Sequence, residues 1–190
     1  DAEAGLMCPK SLSSVLEKHE LKAIMPVHIY GLPAPIAELE KVCAPKNIKI
    51  IEDAAQAQGT ILPTGPVGST NNLTTFSFYP TKNLSAFGDA GGILINDSSL
   101  VDKINAIRNH GRGQIEERLG RNSRCDHMQA AVLCQKLEKI EQYNKQRKDV
   151  AKMYHEALKD LDVRILPAAF LETSSWHLYP IHMKSKEDRI

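Results

Sequence analysis

The chain has 190 residues, of which 42% are hydrophobic and 25% charged, and its formal net charge is +1, a profile typical of an ordinary globular domain. The densest basic run, "KQRKDVAK", is interrupted by Asp149, so the charge pattern does not favour a nucleic-acid partner. No apolar run is long enough to cross a membrane as a helix. The four cysteines form no C-x-x-C pair, which favours free thiols in a reducing, cytoplasmic compartment.

The first elements along the chain predict a parallel pair of strands joined by a helix. "LKAIMPVHIYG" (21–31) is typical of a buried strand that stops at a glycine, and residues 33–44 carry apolar side chains at helical spacing. "NIKIIEDAA" (47–55) then predicts a second strand. Strands joined by a helix run parallel, so this is a β-α-β unit of an α/β fold.

The rest of the chain alternates in the same way and then becomes helical. "LTTFSFY" (73–79) and "GGILIND" (91–97) predict strands, and a helix capped by Asp97 or Ser98 follows them. From Asp126 the pattern favours one long or gently broken helix. "LPAAFLETSS" has the composition of a linker, and "WHLYPIHM" after it predicts a strand of a second unit. We expect a large domain over 1–145 and an incomplete second domain over 146–190.

Chemistry in open α/β sheets is found where strands end, and polar side chains occur there. Asp53 ends one predicted strand, Ser77 ends another, and Lys82 follows five residues later in "SFYPTKN". An amine in a partly dry site is a nucleophile toward carbonyls, and a carboxylate there needs a cationic partner. Pyridoxal phosphate meets both needs, because its aldehyde takes a lysine as a Schiff base while an aspartate keeps its ring nitrogen protonated.

Five segments in this order resemble one known family. "PVHIYG", "IEDAAQAQG", "TFSFYPTKNLSAFGDAGGILIND", "IRNHGR" and "NSRCDHMQAAVL" are similar to motifs of the DegT/StrS family of pyridoxal-phosphate-dependent nucleotide-sugar aminotransferases. The resemblance implies an aspartate-aminotransferase-like (type I) large domain. Such a domain has a mostly parallel sheet with flanking helices, followed by the start of a small C-terminal α/β domain. It also implies that longer segments flank this region in the parent enzyme, including a loop that holds the cofactor phosphate.

The resemblance assigns a role to five positions. Lys82 matches the Schiff-base lysine, which also moves the proton during transamination. Asp53 matches the partner of the ring nitrogen, and Gln56 matches a residue near the ring face and O3′. Ser77 matches a phosphate-binding hydroxyl, and Asn122 matches an asparagine that reaches the cofactor phosphate of the neighbouring subunit. A homodimer with a shared active site is therefore implied.

The implied reaction moves an amino group from an amino acid, glutamate, to a keto carbon of a nucleotide-linked sugar in amino-sugar and polysaccharide biosynthesis. Arg124 and His28 also lie in family motifs, and only proximity to the site is expected of them. Some relatives are ketosugar dehydratases in which histidine replaces the lysine, and Lys82 argues against that activity. A non-catalytic fragment or cofactor-binding sensor with the same fold is the remaining alternative.

Each candidate also has an ordinary structural explanation. Asp53 can cap a following helix, Ser77 can bond to backbone as a strand hydroxyl, and Asn122 or Ser123 can cap the helix after them. His28 is more often a satisfied residue at a strand end than a catalyst. His177 and His182 lie five residues apart in a predicted strand and so would face opposite sides, and no metal site is expected.

Overall fold

The computed structural model describes residues 1, 3–112, 119–183 and 185. The helices are α1 (Pro9–Leu16), α2 (Ile36–Cys43), α3 (Val101–Arg108), α4 (His127–Leu137) and α5 (Ile140–Leu158). The strands are β1 (Ala23–Ile24), β2 (Lys49–Asp53), β3 (Ile61–Leu62), β4 (Gly65–Pro66), β5 (Leu73–Ser77), β6 (Gly91–Leu94), β7 (Arg164–Ile165) and β8 (Ile181–His182).

A four-stranded sheet in the order β1-β2-β5-β6 forms the centre of the fold. β1 pairs in parallel with β2, and β2 in parallel with β5, whereas β5 pairs antiparallel with β6. The α/β class, the mostly parallel sheet and the β-α-β unit are thereby confirmed. Because β2 and β5 are parallel neighbours, their carboxyl ends, at Asp53 and Ser77, meet at the same edge of the sheet.

The first predicted strand is shorter than its apolar run. β1 ends at Ile24, and beyond it Val27 makes only an isolated parallel bridge to Asp53. Pro26 lies between them and has no N–H to donate to a ladder, although its carbonyl accepts the N–H of Asp53 at 2.9 Å. The chain therefore stays extended up to His28 without forming a continuous strand.

The hydrophobic core lies where α1 packs on α2 and α2 packs on β2, with β1 beside β2. α2 presents Ile36, Leu39 and Cys43 on one face, at the spacing of an amphipathic helix. The following core side chains are less than 9% exposed: Leu12, Leu16, Ile24, Leu32, Ile36, Leu39, Cys43, Ile48 and Ile50. This packing fixes the β1–β2 pair, and with it the sheet edge at which Asp53 lies.

The helical region after Asp126 is broken into two helices, as one form of the prediction allowed. Lys139, between α4 and α5, has φ −112° and ψ 2°, which are not helical angles. The carboxylate of Asp126 accepts the N–H of Gln129 at 2.8 Å and so caps α4. The alternative in which Asn122 or Ser123 caps this helix is therefore wrong.

The C-terminal segment is packed against the sheet region and is not a loose linker. Ser174 and Ser175 are fully buried, as is most of Trp176. The N–H of Ser175 donates to the carbonyl of Gly31 at 3.1 Å, and the hydroxyl of Thr60 donates to the same carbonyl at 2.7 Å. The linker interpretation of "LPAAFLETSS" is therefore wrong.

The strand predicted over "WHLYPIHM" forms only at its end. β8 pairs antiparallel with β7, but residues 176–180 are irregular. Trp176 has φ +50°, a left-handed conformation that no strand contains, and Pro180 follows. A second departure from the sequence analysis is the antiparallel pair β3–β4, which was not predicted. None of the helices in the described part of the chain combines the length and apolar character that a bilayer crossing requires.

Candidate active site

Asp53 closes β2 at the edge of the sheet and is half-buried there. Its carbonyl accepts the N–H of His28 at 3.0 Å, and one carboxylate oxygen, Oδ1, accepts the N–H of Ala55 at 3.0 Å. Residues 54–60 form turns and no helix, so the helix-cap explanation of Asp53 is wrong. The carboxylate instead stabilises the turn that follows β2, at the edge of the sheet where β2 ends.

Ser77 and Gln56 flank the same edge. Ser77 is the last residue of β5, and its Oγ accepts a hydrogen bond from the N–H of Tyr79 at 3.3 Å. The carbonyl of Ser77 accepts a hydrogen bond from the side chain of Gln58 at 2.5 Å, which ties the end of β5 to the turn after β2. Gln56 lies in that turn, where its Oε1 accepts the N–H of Tyr30 at 2.6 Å. The structure thus brings Asp53, Gln56 and Ser77 to one place.

Lys82 lies in the turn beyond β5 and is half-buried. Its N–H donates to the carbonyl of Tyr79 at 2.9 Å, and its side chain lines a cavity of about 630 Å³. The opposite wall comes from α5 and the C-terminal segment, which contribute Arg147 and His177. Tyr143, Tyr154 and Tyr179 also line this cavity, which we call the lysine cavity.

The lysine cavity carries positive charge beside a neutral imidazole. Arg147 is held in place because it donates to the carbonyls of Trp176 and His177 at 3.2 and 3.3 Å. Burial, followed by the charges of Lys82 and Arg147, lowers the pKa of His177 to about 4. At neutral pH His177 is therefore uncharged, and it shares the lining of the cavity with two cations.

A buried pair, His28 and Glu52, supports the edge from the other face of β2. Nδ1 of His28 accepts the N–H of Ala34 at 3.0 Å, so the ring proton is on Nε2, which donates to Glu52 at 3.0 Å. Both side chains are fully buried. His28 is thus a buried residue whose two ring nitrogens are both hydrogen-bonded, which agrees with its ordinary structural explanation.

Glu52 is ionised although it is buried. Thr70 and Asn72 also donate to its carboxylate, the latter at 2.9 Å. Burial raises the pKa of Glu52, but the hydrogen bonds from His28, Thr70 and Asn72 together lower it below its ordinary value. The charge is therefore stabilised by three donors, and the backbone that bears Asp53 is anchored with it.

Asn122 does not line the lysine cavity. It is exposed and forms an isolated bridge with Asn109, at the end of α3. The neighbouring Arg124 donates to the side chain of Asn109 at 2.5 Å and lines a second cavity, of about 880 Å³, together with Phe76. The expected role of Asn122 concerns a second subunit and stays a prediction.

The sequence did not lead us to predict the wall of the lysine cavity. Arg147 was considered only as part of a basic run, and His177 only as a metal ligand. Helical spacing does indicate that Tyr143, Arg147 and Tyr154 share a face of α5, and that signal was available. Within the described ranges, no three His, Cys, Asp or Glu side chains come together as a metal site would require.

The residues at the edge fit pyridoxal phosphate by their chemistry. Lys82 offers an amine for the aldehyde, Asp53 offers a carboxylate for the ring nitrogen, and Ser77 offers a hydroxyl for the phosphate. Asp53 and Ser77 close adjacent parallel strands, and Lys82 opens onto a cavity large enough for a substrate.

Known proteins resemble the chain in sequence and in structure. It is 38% identical over 168 residues to the erythromycin biosynthesis sensory transduction protein EryC1 of Saccharopolyspora erythraea, covering 87% of this chain and 46% of that protein. It is 36% identical over 170 residues to the dTDP-3-amino-3,4,6-trideoxy-alpha-D-glucose transaminase of Streptomyces venezuelae, covering 88% and 45%. The chain therefore spans about half the length of these curated relatives.

A solved structure, NtdA from Bacillus subtilis with its cofactor PMP bound, superposes with a TM-score of 0.85 at 27% identity, covering 100% of this chain and 44% of that one. The model of the DegT/DnrJ/EryC1/StrS aminotransferase family matches residues 1–190. Since that match covers the whole sequence, and the fold agrees with it, the chain belongs to the DegT/DnrJ/EryC1/StrS aminotransferase family.

Proposed function

We propose that the protein is a pyridoxal-phosphate-dependent aminotransferase that moves an amino group from glutamate to a keto carbon of a nucleotide-linked sugar. The observation that carries the proposal is the placement of Lys82 on the lysine cavity, beyond the same sheet edge at which Asp53 and Ser77 close adjacent strands. The transaminase of Streptomyces venezuelae supports the sugar substrate, and NtdA supports the cofactor.

Each residue of the edge has a defined task. Lys82 would hold the cofactor through its aldehyde, and the amine, once it is released, would move a proton at the substrate carbon. Asp53 would keep the ring nitrogen protonated, Ser77 would donate to the phosphate, and Gln56 would lie against one side of the ring. When bound, pyridoxal phosphate supplies the electron sink for the carbanion formed at the substrate carbon. Asn122 completes the phosphate site of a second subunit, so the active unit is a homodimer.

The cavity composition agrees with an acidic substrate. Lys82 and Arg147 place two positive charges in the lining of the lysine cavity, and a nucleotide-linked sugar and glutamate are both anionic. The aromatic side chains of Tyr154, Tyr179 and Trp176 stack in succession, with ring centroids 5.5 and 5.2 Å apart, and form a rigid apolar wall. We further propose a cytoplasmic location, supported by four cysteines that are all free.

The test uses the full-length protein with added pyridoxal phosphate. Borohydride reduction followed by peptide mapping is expected to place the reduced cofactor on Lys82. Lys82→Ala is expected to lose both the label and amino transfer from nitrogen-labelled glutamate to nucleotide ketosugars. Lys49→Ala removes an exposed lysine at the start of β2 and is the matched control, with label and transfer unchanged.

The outcomes separate the alternatives. A label on another lysine would contradict the assignment of Lys82. A label on Lys82 without amino transfer to any ketosugar would favour a non-catalytic cofactor-binding protein, and loss of water from the ketosugar would favour a dehydratase.

A further inference from the structure

Two buried asparagines connect the turn that bears Lys82 to α5 and to the C-terminal segment. Asn83 and Asn144 are 7% and 6% exposed. Nδ2 of Asn83 donates to Oδ1 of Asn144 at 2.9 Å and to the carbonyl of Ser175 at 2.7 Å. Nδ2 of Asn144 donates to the carbonyl of Gln58 at 2.8 Å. We call this pair of side chains the asparagine relay.

The orientation of both amide groups follows from their backbone partners. A carbonyl oxygen only accepts, so each amide must present its NH₂ group to the carbonyl that it contacts. Asn144 therefore turns its NH₂ to Gln58 and its oxygen to Asn83. Asn83 turns its NH₂ to Asn144 and Ser175, which leaves its own oxygen, Oδ1, as an acceptor.

The free acceptor of the relay lies against the imidazole in the lysine cavity. Oδ1 of Asn83 is 3.3 Å from Nδ1 of His177. Two acceptors cannot share this contact, so Nδ1 must carry the ring proton and donate it. A neutral ring has one proton, and Nε2 is then left with its lone pair.

The ring is neutral for an independent reason. It lies in the wall of a cavity that also contains Lys82 and Arg147, and burial together with these two cations disfavours a third positive charge. Arg147 on α5 and Lys82 on the turn after β5 thus disfavour a second proton on the ring, which would occupy the lone pair of Nε2.

We propose, on the basis of the proposed function, that Asn83 is a positioning residue that fixes His177 as the Nδ1-protonated tautomer, with Asn144 holding the amide of Asn83 in orientation. Nε2 of His177 is then a neutral hydrogen-bond acceptor in the wall of the cavity that Lys82 and Arg147 also line. Such an acceptor suits an uncharged donor, the hydroxyl group of a sugar, because the positive charge of Arg147 in the same lining disfavours a cationic donor.

The direct test is the tautomer of His177, measured by nitrogen NMR on the full-length protein with labelled histidine side chains. A His177→Gln variant identifies the signals. We expect the pyrrole-type nitrogen at Nδ1 and the pyridine-type nitrogen at Nε2, without cofactor as well as with it. A pyrrole-type Nε2 in the unsubstituted protein would overturn the proposal, and this measurement requires no variant of Asn83 to fold.

Two substitutions at position 83 separate a positioning role from a merely structural one. Asn83→Asp keeps an oxygen opposite Nδ1 of His177, so Nδ1 stays protonated even though both donations to Asn144 and Ser175 are lost. Asn83→Ala removes that oxygen, and the ring should then populate both tautomers. Equal spectra for the two variants, with both folded by circular dichroism, would overturn the proposal.

Two substitutions on α5 test the supporting role of Asn144. Asn144→Ala is expected to lower kcat by on the order of tenfold to a hundredfold, since loss of orientation at a reacting group has effects of that size. Gln142→Ala removes an exposed amide two residues away on α5 and should leave kcat and the His177 spectrum unchanged. If Asn144→Ala also left kcat unchanged, its supporting role would be refuted. The tautomer is measured without catalysis, so absence of transaminase activity would refute the proposed function and leave this inference to its own test.

Discussion

Replacing Glu52 by glutamine tests whether the buried charge behind Asp53 stabilises the fold. The carboxylate accepts from His28, Thr70 and Asn72, and both it and His28 are fully buried. A glutamine of the same shape keeps one oxygen, which serves Thr70 and Asn72, because both contact Oε1 of Glu52. Its NH₂ group then faces the N–H of His28, and two donors oppose each other.

The ring of His28 cannot relieve this conflict at no cost. Moving its proton to Nδ1 would leave the N–H of Ala34, which now donates to that nitrogen at 3.0 Å, without a partner. Either arrangement leaves one buried donor unsatisfied, a loss of about 1–3 kcal/mol in the free energy of unfolding. Glu52→Ala removes the acceptor for all three donors and should cost about 3–5 kcal/mol.

Urea unfolding of the full-length protein, followed by circular dichroism, gives the difference between Glu52→Gln and the unsubstituted protein. Glu40→Gln is the matched control, because Glu40 is partly exposed and its only contact in this network is with Asn72, at 3.0 Å. A change within about 0.5 kcal/mol is expected for the control. Equal stabilities of the Glu52→Gln variant and the unsubstituted protein at neutral pH would refute the reasoning.

The stability difference between the unsubstituted protein and Glu52→Gln also depends on pH. The folded-state pKa of Glu52 is lowered, so its contribution is fully present above the unfolded-state pKa and is lost as the pH falls through the folded-state pKa. The stability difference between the unsubstituted protein and Glu52→Gln should therefore shrink on acidification. A difference that grows as the pH falls would show that the carboxylate is not ionised in the folded protein.

Three further predictions concern the edge and the cavity. Asp53→Ala should fold and yet transaminate two to four powers of ten more slowly, roughly 3–5 kcal/mol of barrier, as steady-state kinetics would show; near-normal turnover would contradict the role of Asp53. Gly31→Ala should lower the midpoint of thermal unfolding, because Gly31 has φ +90° and a Cβ there would lie 2.6 Å from Ser175 Oγ and 3.0 Å from the carbonyl of Gln56; an unchanged midpoint would contradict the packing. His177, followed by NMR titration, should stay neutral down to about pH 4, and its share of the stability should be lost as the pH falls from its unfolded-state pKa of 6.5 toward that value; a midpoint near 6.5 would show that the ring is not buried as described.

Local sequence patterns were sufficient to predict the parallel strands of the central sheet and the polar residues at their carboxyl ends. Apolar runs and helical spacing located β2, β5, α2 and α5, and the parallel pairing then placed Asp53 and Ser77 together. The same patterns overestimated strands where backbone chemistry intervened. Pro26 ended β1 early, and the left-handed conformation of Trp176 prevented a strand at the C-terminal end.

The wall of the lysine cavity could not be located in this way because it depends on contacts between distant residues. Asn83 bonds to Asn144 and Ser175, which are 61 and 92 residues further along the chain. No spacing rule connects such positions, and each residue alone is ordinary. A buried asparagine beside a lysine in "PTKN" is visible only after the fold has brought α5 and the C-terminal segment together.

The burial of Ser175 against Gly31 and Thr60 also bears on how the protein folds. The bond between Thr60 and Ser175 spans 115 residues, whereas the β-α-β unit is complete by residue 53. Closing so long a loop is slow compared with local pairing, and during synthesis Ser175 leaves the ribosome long after the sheet can form. We therefore expect the sheet edge to form before Ser175 packs against the turn at Gly31. The candidate active site is then completed last.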